Sequence, residues 1–271
     1  MTDAVAAAAS AAKISGALKK ASASTGVGFD YLYRVALRES SLNPDAKAKT
    51  SSAAGLFQFI EQTWLASVKK YGGRHGLAAE AAEIVKGPNG RYAVADPARR
   101  QAILDLRFDA DKAAALAAEL ARENKAALEG ALGRAVEAGE LYAAHFLGPA
   151  GARALLSADR KASAAALLPA AAAANRPVFY DGARERTVGE VIDSFARTIG
   201  GAKAALTELK SAIGAGVGAA AGEFLRETAA FGARAAFPGL ETKSLPPLAL
   251  VILQALDWRG PERASPERAG R

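Results

Sequence analysis

Hydrophobic residues recur with a helical period along most of this 271-residue chain, and the pattern predicts a mainly α protein. Alanine dominates many of these segments, and alanine favours helix while burying little surface. We predict helices over residues 1–24, 97–107, 109–124, 126–137, 139–147, 150–156, 188–199 and 202–236. Asp96 followed by Pro97 has the pattern of a helix N-cap. A short extended segment that runs into a turn is predicted near residues 176–182.

Changes in composition divide the chain into four parts. Residues 1–25 are predicted as an N-terminal helical arm, and residues 26–200 as the main domain, which holds most of the aromatic residues. A pair of glycines near residue 200 marks the edge of that domain. Residues 201–258 are predicted as a helical C-terminal extension, and residues 259–271 as a disordered tail rich in Arg, Pro and Glu.

Composition and charge remove several classes of chemistry. The chain has no cysteine, and its two histidines, His75 and His145, lack metal-ligand spacing. A disulfide framework, a thiol nucleophile and a cysteine-bound metal are therefore excluded, and we expect no cofactor and no metal. The net charge of +7 suits an anionic partner. Because the basic residues are not clustered with aromatic ones, we expect no nucleic-acid partner.

Neither a membrane span nor a convincing signal peptide is predicted. The longest candidate for a spanning segment, residues 248–256, is well short of the ~20 residues that a spanning helix needs. At the N-terminus Asp3 precedes a mildly apolar alanine run and Lys13 follows it, which reverses the order of charge in a leader peptide. The export route is therefore left open.

A carboxylate projects from the apolar face of the helix predicted within residues 29–44. At 100° per residue that face collects Leu32, Val35, Ala36 and Glu39. Arg34 and Arg38 are predicted to point away from it, and Pro44 ends the helix. Burial disfavours the charged form of a carboxylate, which is how such a group becomes a proton donor near neutral pH. A purely structural glutamate is the alternative.

A second informative segment lies nineteen residues beyond Glu39, where Gln58 stands within residues 51–60. Small residues and a glycine let backbone approach a ligand closely, and the amide of Gln58 offers both a donor and an acceptor. The aromatic residues nearby are Phe57, Phe59 and Trp64. A proton-donating carboxyl, an amide and aromatic surfaces together suit a polysaccharide, whereas a turn followed by an aromatic core helix is the alternative.

The spacing of these two segments resembles the soluble lytic transglycosylase domain, glycoside hydrolase family 23, with its goose-type lysozyme fold. Glu39-Ser40 matches the Glu-Ser of the family, Pro44 its following proline, and residues 55–58 its Gly-Leu-x-Gln, one residue later than usual. The resemblance covers about residues 26–200. Residues 107–109 resemble a second family block, and residues 176–191 look like the closing segment of a subset.

The third family block, usually Ala-Tyr-Asn-x-Gly, is altered in this chain. In Glu140–Gly148, His145 takes the position of the Tyr, which positions the catalytic Glu in the family, and Phe146 that of the Asn, which faces substrate. Either His145 or Tyr142 is therefore expected to support Glu39. Loss of both contacts would put activity in doubt.

The resemblance implies an enzyme that cleaves peptidoglycan at the β-1,4 bond between N-acetylmuramic acid and N-acetylglucosamine. Glu39 would protonate the bridging oxygen and then, as a base, take the proton of the C6 hydroxyl to close a 1,6-anhydro ring. Glu61 is only a weak candidate for a second carboxylate. The expected substrate-binding residues are Ser40, Ser52, Gly55, Gln58, Phe59, Tyr142, His145 and Phe146.

Two alternatives stay open at this point. The same site could act hydrolytically, as a muramidase. The domain could instead be a weakly active or inactive wall-binding component of a secretion, flagellar or phage-type assembly, with residues 202–258 contacting the partner. In each case the expected location is the periplasm or cell envelope.

Overall fold

The computed structural model describes residues 2–49 and 51–200, and this part of the chain is mainly α, as predicted. The helices are α1 (Thr2–Thr25), α2 (Phe29–Ser40), α3 (Glu61–Tyr71), α4 (Ala78–Glu83), α5 (Pro97–Asp105), α6 (Ala110–Leu132), α7 (Ala138–Ser157), α8 (Ala164–Leu167), α9 (Pro169–Ala174), α10 (Arg176–Phe179) and α11 (Val188–Gly200). Two antiparallel hairpins pair β1 (Val85–Lys86) with β2 (Tyr92–Ala93) and β3 (Tyr180–Asp181) with β4 (Arg184–Glu185). The predicted extension over 201–258 and the tail over 259–271 lie outside the described residues.

Helix α6 lies at the centre of the helical packing. It contacts α1 along one side and α7 along another, and α7 in turn packs against α11. The predicted helices over 109–124 and 126–137 are wrong as two elements, because α6 runs unbroken to Leu132. Alanine and long side chains around residue 125 favour helix, and the chain reverses only at Gly133, which has a φ of 67°.

Helix α1 is present as predicted, but it belongs to the core rather than forming an exposed arm. Its inner face, spaced three and four residues apart, is buried and consists of Ile14, Ala17, Leu18 and Ala21. This face packs on α6, and Lys20 forms an ion pair with Asp111 at 3.1 Å. The apolar periodicity of the arm therefore serves the same core as the main domain.

Helix α7 contains both segments that were predicted as separate helices on either side of residue 148. A sharp bend separates them at Gly148, whose φ of 73° and ψ of 163° are not helical, and Pro149 follows it. Proline is accommodated there because it begins a new helical segment, where its missing N–H is not needed. The bend ends the segment that carries His145.

The predicted extended segment at 176–182 is partly wrong. Its first half is α10, a single helical turn, and extended pairing begins only at Tyr180. Pro177 has the backbone angle of a first helical turn, and Gly182 forms the hairpin turn with a φ of 61°. By contrast, Asp96 caps α5 as predicted, since its side chain accepts from the N–H groups of Ala98 and Arg99.

Within the described residues, no helix has the length and hydropathy needed to cross a membrane.

Candidate active site

Glu39 lies in the last turn of α2, and its side chain is only 2% exposed. The buried face of α2 matches the predicted one, because Leu32, Val35 and Ala36 are all in the core. The helix ends directly afterwards at Ser41, which adopts a left-handed φ of 52°. The helical period therefore sends the carboxylate inward, at the point where the chain turns away.

His145 is the residue that contacts the Glu39 carboxylate. Its Nε2 lies 3.2 Å from Oε1 of Glu39, and its own side chain is 14% exposed. The two residues are 106 positions apart in sequence and are brought together where α7 passes α2. The imidazole can donate to the carboxylate or accept from its protonated form, depending on the tautomer.

Tyr142, the other expected support for Glu39, lies one turn earlier on α7 and stacks on His145. The ring centroids are 5.5 Å apart with an interplanar angle of 17°, and the opposite side of Tyr142 meets the edge of Phe195 on α11. Burial raises the pKa of the Tyr142 hydroxyl, and the charge of Glu39 raises it further. Tyr142 therefore contacts the ring of His145, which in turn contacts Glu39.

Arg38 was predicted to point away from this face of α2, and that prediction is wrong. Its guanidinium hydrogen-bonds Tyr142, and this contact and its charge partly oppose the rise in the tyrosine pKa. The long arginine side chain lets its head group reach a neighbour that the direction of its Cα–Cβ bond does not indicate.

Tyr31 is a site residue that sequence reasoning missed. It lies two turns before Glu39 on the same face of α2 and is buried. Burial raises its pKa, and the nearby Tyr142 and Glu39 raise it further. The signal was present in the spacing of Tyr31, Val35 and Glu39, at i, i+4 and i+8 of one helical face.

Ser40 and Gln58, expected to bind substrate, hold the chain that follows α2. The Ser40 hydroxyl donates to the carbonyl of Leu56 at 2.8 Å. The Gln58 amide nitrogen donates to the carbonyls of Gly55 at 2.9 Å and Ala46 at 3.2 Å, so both of its N–H groups are committed to the loop itself. Gln58 also adopts a φ of 49°, which these two bonds stabilise.

Gly55 and Ser52 are brought to Arg107 rather than to Glu39. An added Cβ at Gly55, where φ is 78°, would lie 1.9 Å from the Arg107 carbonyl oxygen. Nη1 of Arg107 donates to the carbonyl of Ser52 at 2.6 Å and to that of Phe59 at 3.1 Å. Arg107 belongs to the second family block, but the sequence did not indicate this role. Its hydrogen bonds hold the loop over residues 52–59.

Phe59 and Phe146 are core residues. Phe59 meets Trp64 edge to face, with ring centroids 5.2 Å apart. Phe146 is buried against Phe195 at 5.2 Å. The expectation that Phe146 faces substrate in place of the family Asn is therefore wrong, because the helical period of α7 turns it towards α11 when His145 turns towards α2.

A cavity of about 240 Å³ is lined in part by His145, the partner of Glu39. Its walls come from α2, the loop before α3, α3 itself, α6 and α7, and they include Tyr31, Val35, Phe57, Phe59, Asn124 and His145. The walls are mostly apolar and aromatic, with the polar side chains of Thr63, Glu123 and Asn124 among them. A cleft of this kind suits the face of a sugar ring next to a proton donor.

Across residues 2–49 and 51–200, no group of three or more His, Asp or Glu side chains is arranged to hold a metal ion.

Comparison with known families agrees with this geometry. Residues 16–85 match the family described as Transglycosylase SLT domain. The matched segment contains Glu39, Ser40 and Gln58, whereas His145 lies outside it. Together with the mainly helical structure, the match supports a lysozyme-like domain of the transglycosylase type, whose members cleave peptidoglycan.

Proposed function

We propose that this protein is a lytic transglycosylase that cleaves the bond between N-acetylmuramic acid and N-acetylglucosamine in peptidoglycan, with Glu39 as its acid and base. The observation that carries the proposal is the buried Glu39 carboxyl, which lies 3.2 Å from the ring of His145, a residue that lines an aromatic cavity. The same carboxyl lies within the segment that matches the transglycosylase family.

The proposed reaction needs one carboxyl in two roles. The Glu39 O–H gives its proton to the bridging oxygen as the C1–O bond breaks, and the acetamido group of the substrate stabilises the cationic carbon. The Glu39 carboxylate then takes the proton of the C6 hydroxyl as O6 bonds to C1, so that no water is consumed. A carboxyl protected from water suits this cycle, since it is neutral before the first step and regains its proton in the second.

A single-carboxyl route also fits the environment of Glu61. That carboxylate lies at the start of α3 and forms an ion pair with Arg100 of α5. Mechanisms with two carboxyl groups place both across the bond that is cleaved. We therefore assign no catalytic role to Glu61.

The test is digestion of purified sacculi by the full chain and by Glu39→Gln, with the released fragments identified by mass spectrometry. We expect anhydro-muramyl products from the wild type and at least about a 100-fold slower release from the variant, because a general acid contributes 10²–10⁴-fold. Thermal unfolding of the variant should be nearly unchanged, and Glu61→Gln should keep its activity.

Other products would overturn the proposal in defined ways. Fragments with reducing ends that disappear in Glu39→Gln would identify a muramidase. Binding to sacculi without release that depends on Glu39 would favour a wall-binding component of an envelope assembly, with residues 202–258 as the next part to test. The cell envelope is the proposed place of action in all three cases, since the polymer is found there.

A further inference from the structure

His145 brings a second titratable group to the position where the resemblance leads us to expect a tyrosine. A tyrosine hydroxyl near neutral pH can only donate to a carboxylate or accept from a carboxylic acid. An imidazole can also carry the proton itself, because its ordinary titration range lies close to that of a carboxyl group. The 3.2 Å contact between Nε2 and Oε1 therefore joins two groups that can exchange one proton.

We propose that Glu39 and His145 share one proton, and that His145 is a positioning residue through which the pair, rather than Glu39 alone, sets the pH at which the last proton is lost. This inference rests on the proposed function, since it assigns the shared proton to the acid step. Its observable consequence for His145 itself does not depend on catalysis.

The geometry allows the proton to move without moving the side chains. With the proton on oxygen, the Glu39 O–H donates to Nε2, and with the proton on nitrogen, Nε2–H donates to the Glu39 carboxylate. Both arrangements use the same pair of heavy atoms and keep a hydrogen on Nδ1. Because the Glu39 side chain is 2% exposed and that of His145 is 14% exposed, little water competes for the bond.

Other titratable and charged groups lie close to the pair. They include Tyr31 and Arg38 on α2, Tyr142 on α7, and Glu123 on the α6 wall of the cavity. Burial raises the pKa of both tyrosines, so they stay neutral, and the Arg38 guanidinium hydrogen-bonds Tyr142. Glu123 is held by Lys70 and by the hydroxyl of Tyr71.

This arrangement gives the site one proton that either residue of the pair can hold. In the acid step the proton passes from the pair to the bridging oxygen, and in the base step the C6 hydroxyl returns one to the pair. With one proton bound, the pair contains a fraction of the form in which Glu39 is protonated and His145 is neutral. That fraction persists to the pH at which the pair loses its last proton, so the alkaline limit of activity belongs to the pair rather than to Glu39.

The direct test uses the fact that the chain has two histidines. Histidine ring nitrogens are labelled with ¹⁵N and titrated by NMR in the wild-type chain, with His75→Gln to assign the signals. We expect the titration midpoint of His145 to fall by about one pH unit in Glu39→Gln, because the carboxylate no longer stabilises the imidazolium. The signals of His75 should be unchanged, and an unmoved midpoint for His145 would overturn the inference.

The second test compares the rates of anhydro-product release from soluble glycan strands as a function of pH. We expect the midpoint of the alkaline limb, with each profile scaled to its own maximum, to lie about one pH unit higher in the wild type than in His145→Gln, whose amide hydrogen-bonds but does not titrate. His75→Gln, which alters the histidine–carboxylate pair with Glu119, should keep the wild-type profile. Coincident limbs in wild type and His145→Gln would contradict the proposal.

The two tests separate this inference from the proposed function. If His145→Gln fails to fold, His145→Tyr supplies the same comparison, and the NMR titration of Glu39→Gln stands without either variant. Full turnover by Glu39→Gln would contradict the proposed function, whatever the result of the NMR titration. If activity depends on Glu39 but the titration midpoint of His145 does not change in Glu39→Gln, only the inference of a shared proton is overturned.

Discussion

Gly55 shows at the scale of one residue how the loop beside the site is constrained. Its φ of 78° belongs to a region that side chains rarely adopt, and its α-carbon lies directly against the backbone of Arg107. Both constraints act together, because the positive φ is what turns the loop towards Arg107. The glycine in Gly-Leu-x-Gln therefore serves the packing of the loop rather than the approach of a ligand.

Replacing Gly55 with Ala should destabilise the protein by about 3 kcal/mol, because the backbone strain of a positive φ adds to the contact with the Arg107 carbonyl. The matched control is Gly133→Ala, which has a φ of 67° but open space around the added carbon. Strain alone should cost the control about 1 kcal/mol. Chemical denaturation measures both, and equal losses would mean that the contact with Arg107 relaxes freely.

At the scale of elements, the site is made by two helices that meet through the contact between Glu39 and His145. Helix α2 supplies Tyr31 and Glu39, and α7 supplies Tyr142 and His145. Helices α2 and α7 have few direct contacts with each other, whereas both pack against α6 and α11. The orientation of the pair thus depends on packing away from the site.

The packing of α1 on α6 is testable at Leu18, which is fully buried. Leu18→Ala should lower the free energy of unfolding by about 2–5 kcal/mol, since it removes buried methyl groups and leaves a cavity. Lys19→Ala, at the exposed neighbouring position, should change it by less than about 0.5 kcal/mol. Thermal or urea unfolding of both variants gives the comparison. Similar small effects would restore the view of α1 as an exposed arm.

At the scale of the whole molecule, a buried carboxylate links the stability of the fold to pH. Glu119 of α6 accepts from Arg122 at 2.6 Å and contacts His75 at 3.0 Å. Burial raises the pKa of Glu119, but the hydrogen bonds from Arg122 and His75 and the charges of Arg122 and Arg74 outweigh it and hold the pKa below its ordinary value. The cluster ties the turn after α3 to the central helix.

The sign of this effect gives a prediction for acid unfolding. Because the pKa of Glu119 is lowered in the folded state, its carboxylate stabilises the protein fully at pH values above the ordinary Glu pKa of 4.5. This stabilisation is lost as the pH falls through the folded-state pKa. We expect the free energy of unfolding to drop below about pH 4.5, and to drop less steeply in Glu119→Gln. Glu80→Gln on α4 is the control. Parallel curves for wild type and Glu119→Gln between pH 3 and 7 would contradict the assignment.

Much of the local structure followed from periodicity, and the failures have separate causes. The face of α2, the cap at Asp96 and the helix over 188–199 depend on residues within a few positions of one another. The break near residue 125 was predicted although the residues there favour helix, and the turn at 176–179 was missed because Pro177 suits a first helical turn as well as an extended segment. Phe146 was misassigned because a family position was carried over to a different side chain.

The sequence by itself determined that Glu39 emerges from an apolar helical face next to a glycine-bearing loop, because helical period and turn chemistry are local properties. Only the tertiary structure decided that His145 reaches Glu39, that Tyr142 stacks behind it, and that Ser40 and Gln58 bond to the loop instead of facing outward. The Glu39–His145 contact joins residues 106 positions apart in the chain, and the Ser40–Leu56 bond joins residues 16 positions apart. Their geometry depends on how α2, α6, α7 and α11 pack together, and no local pattern specifies it.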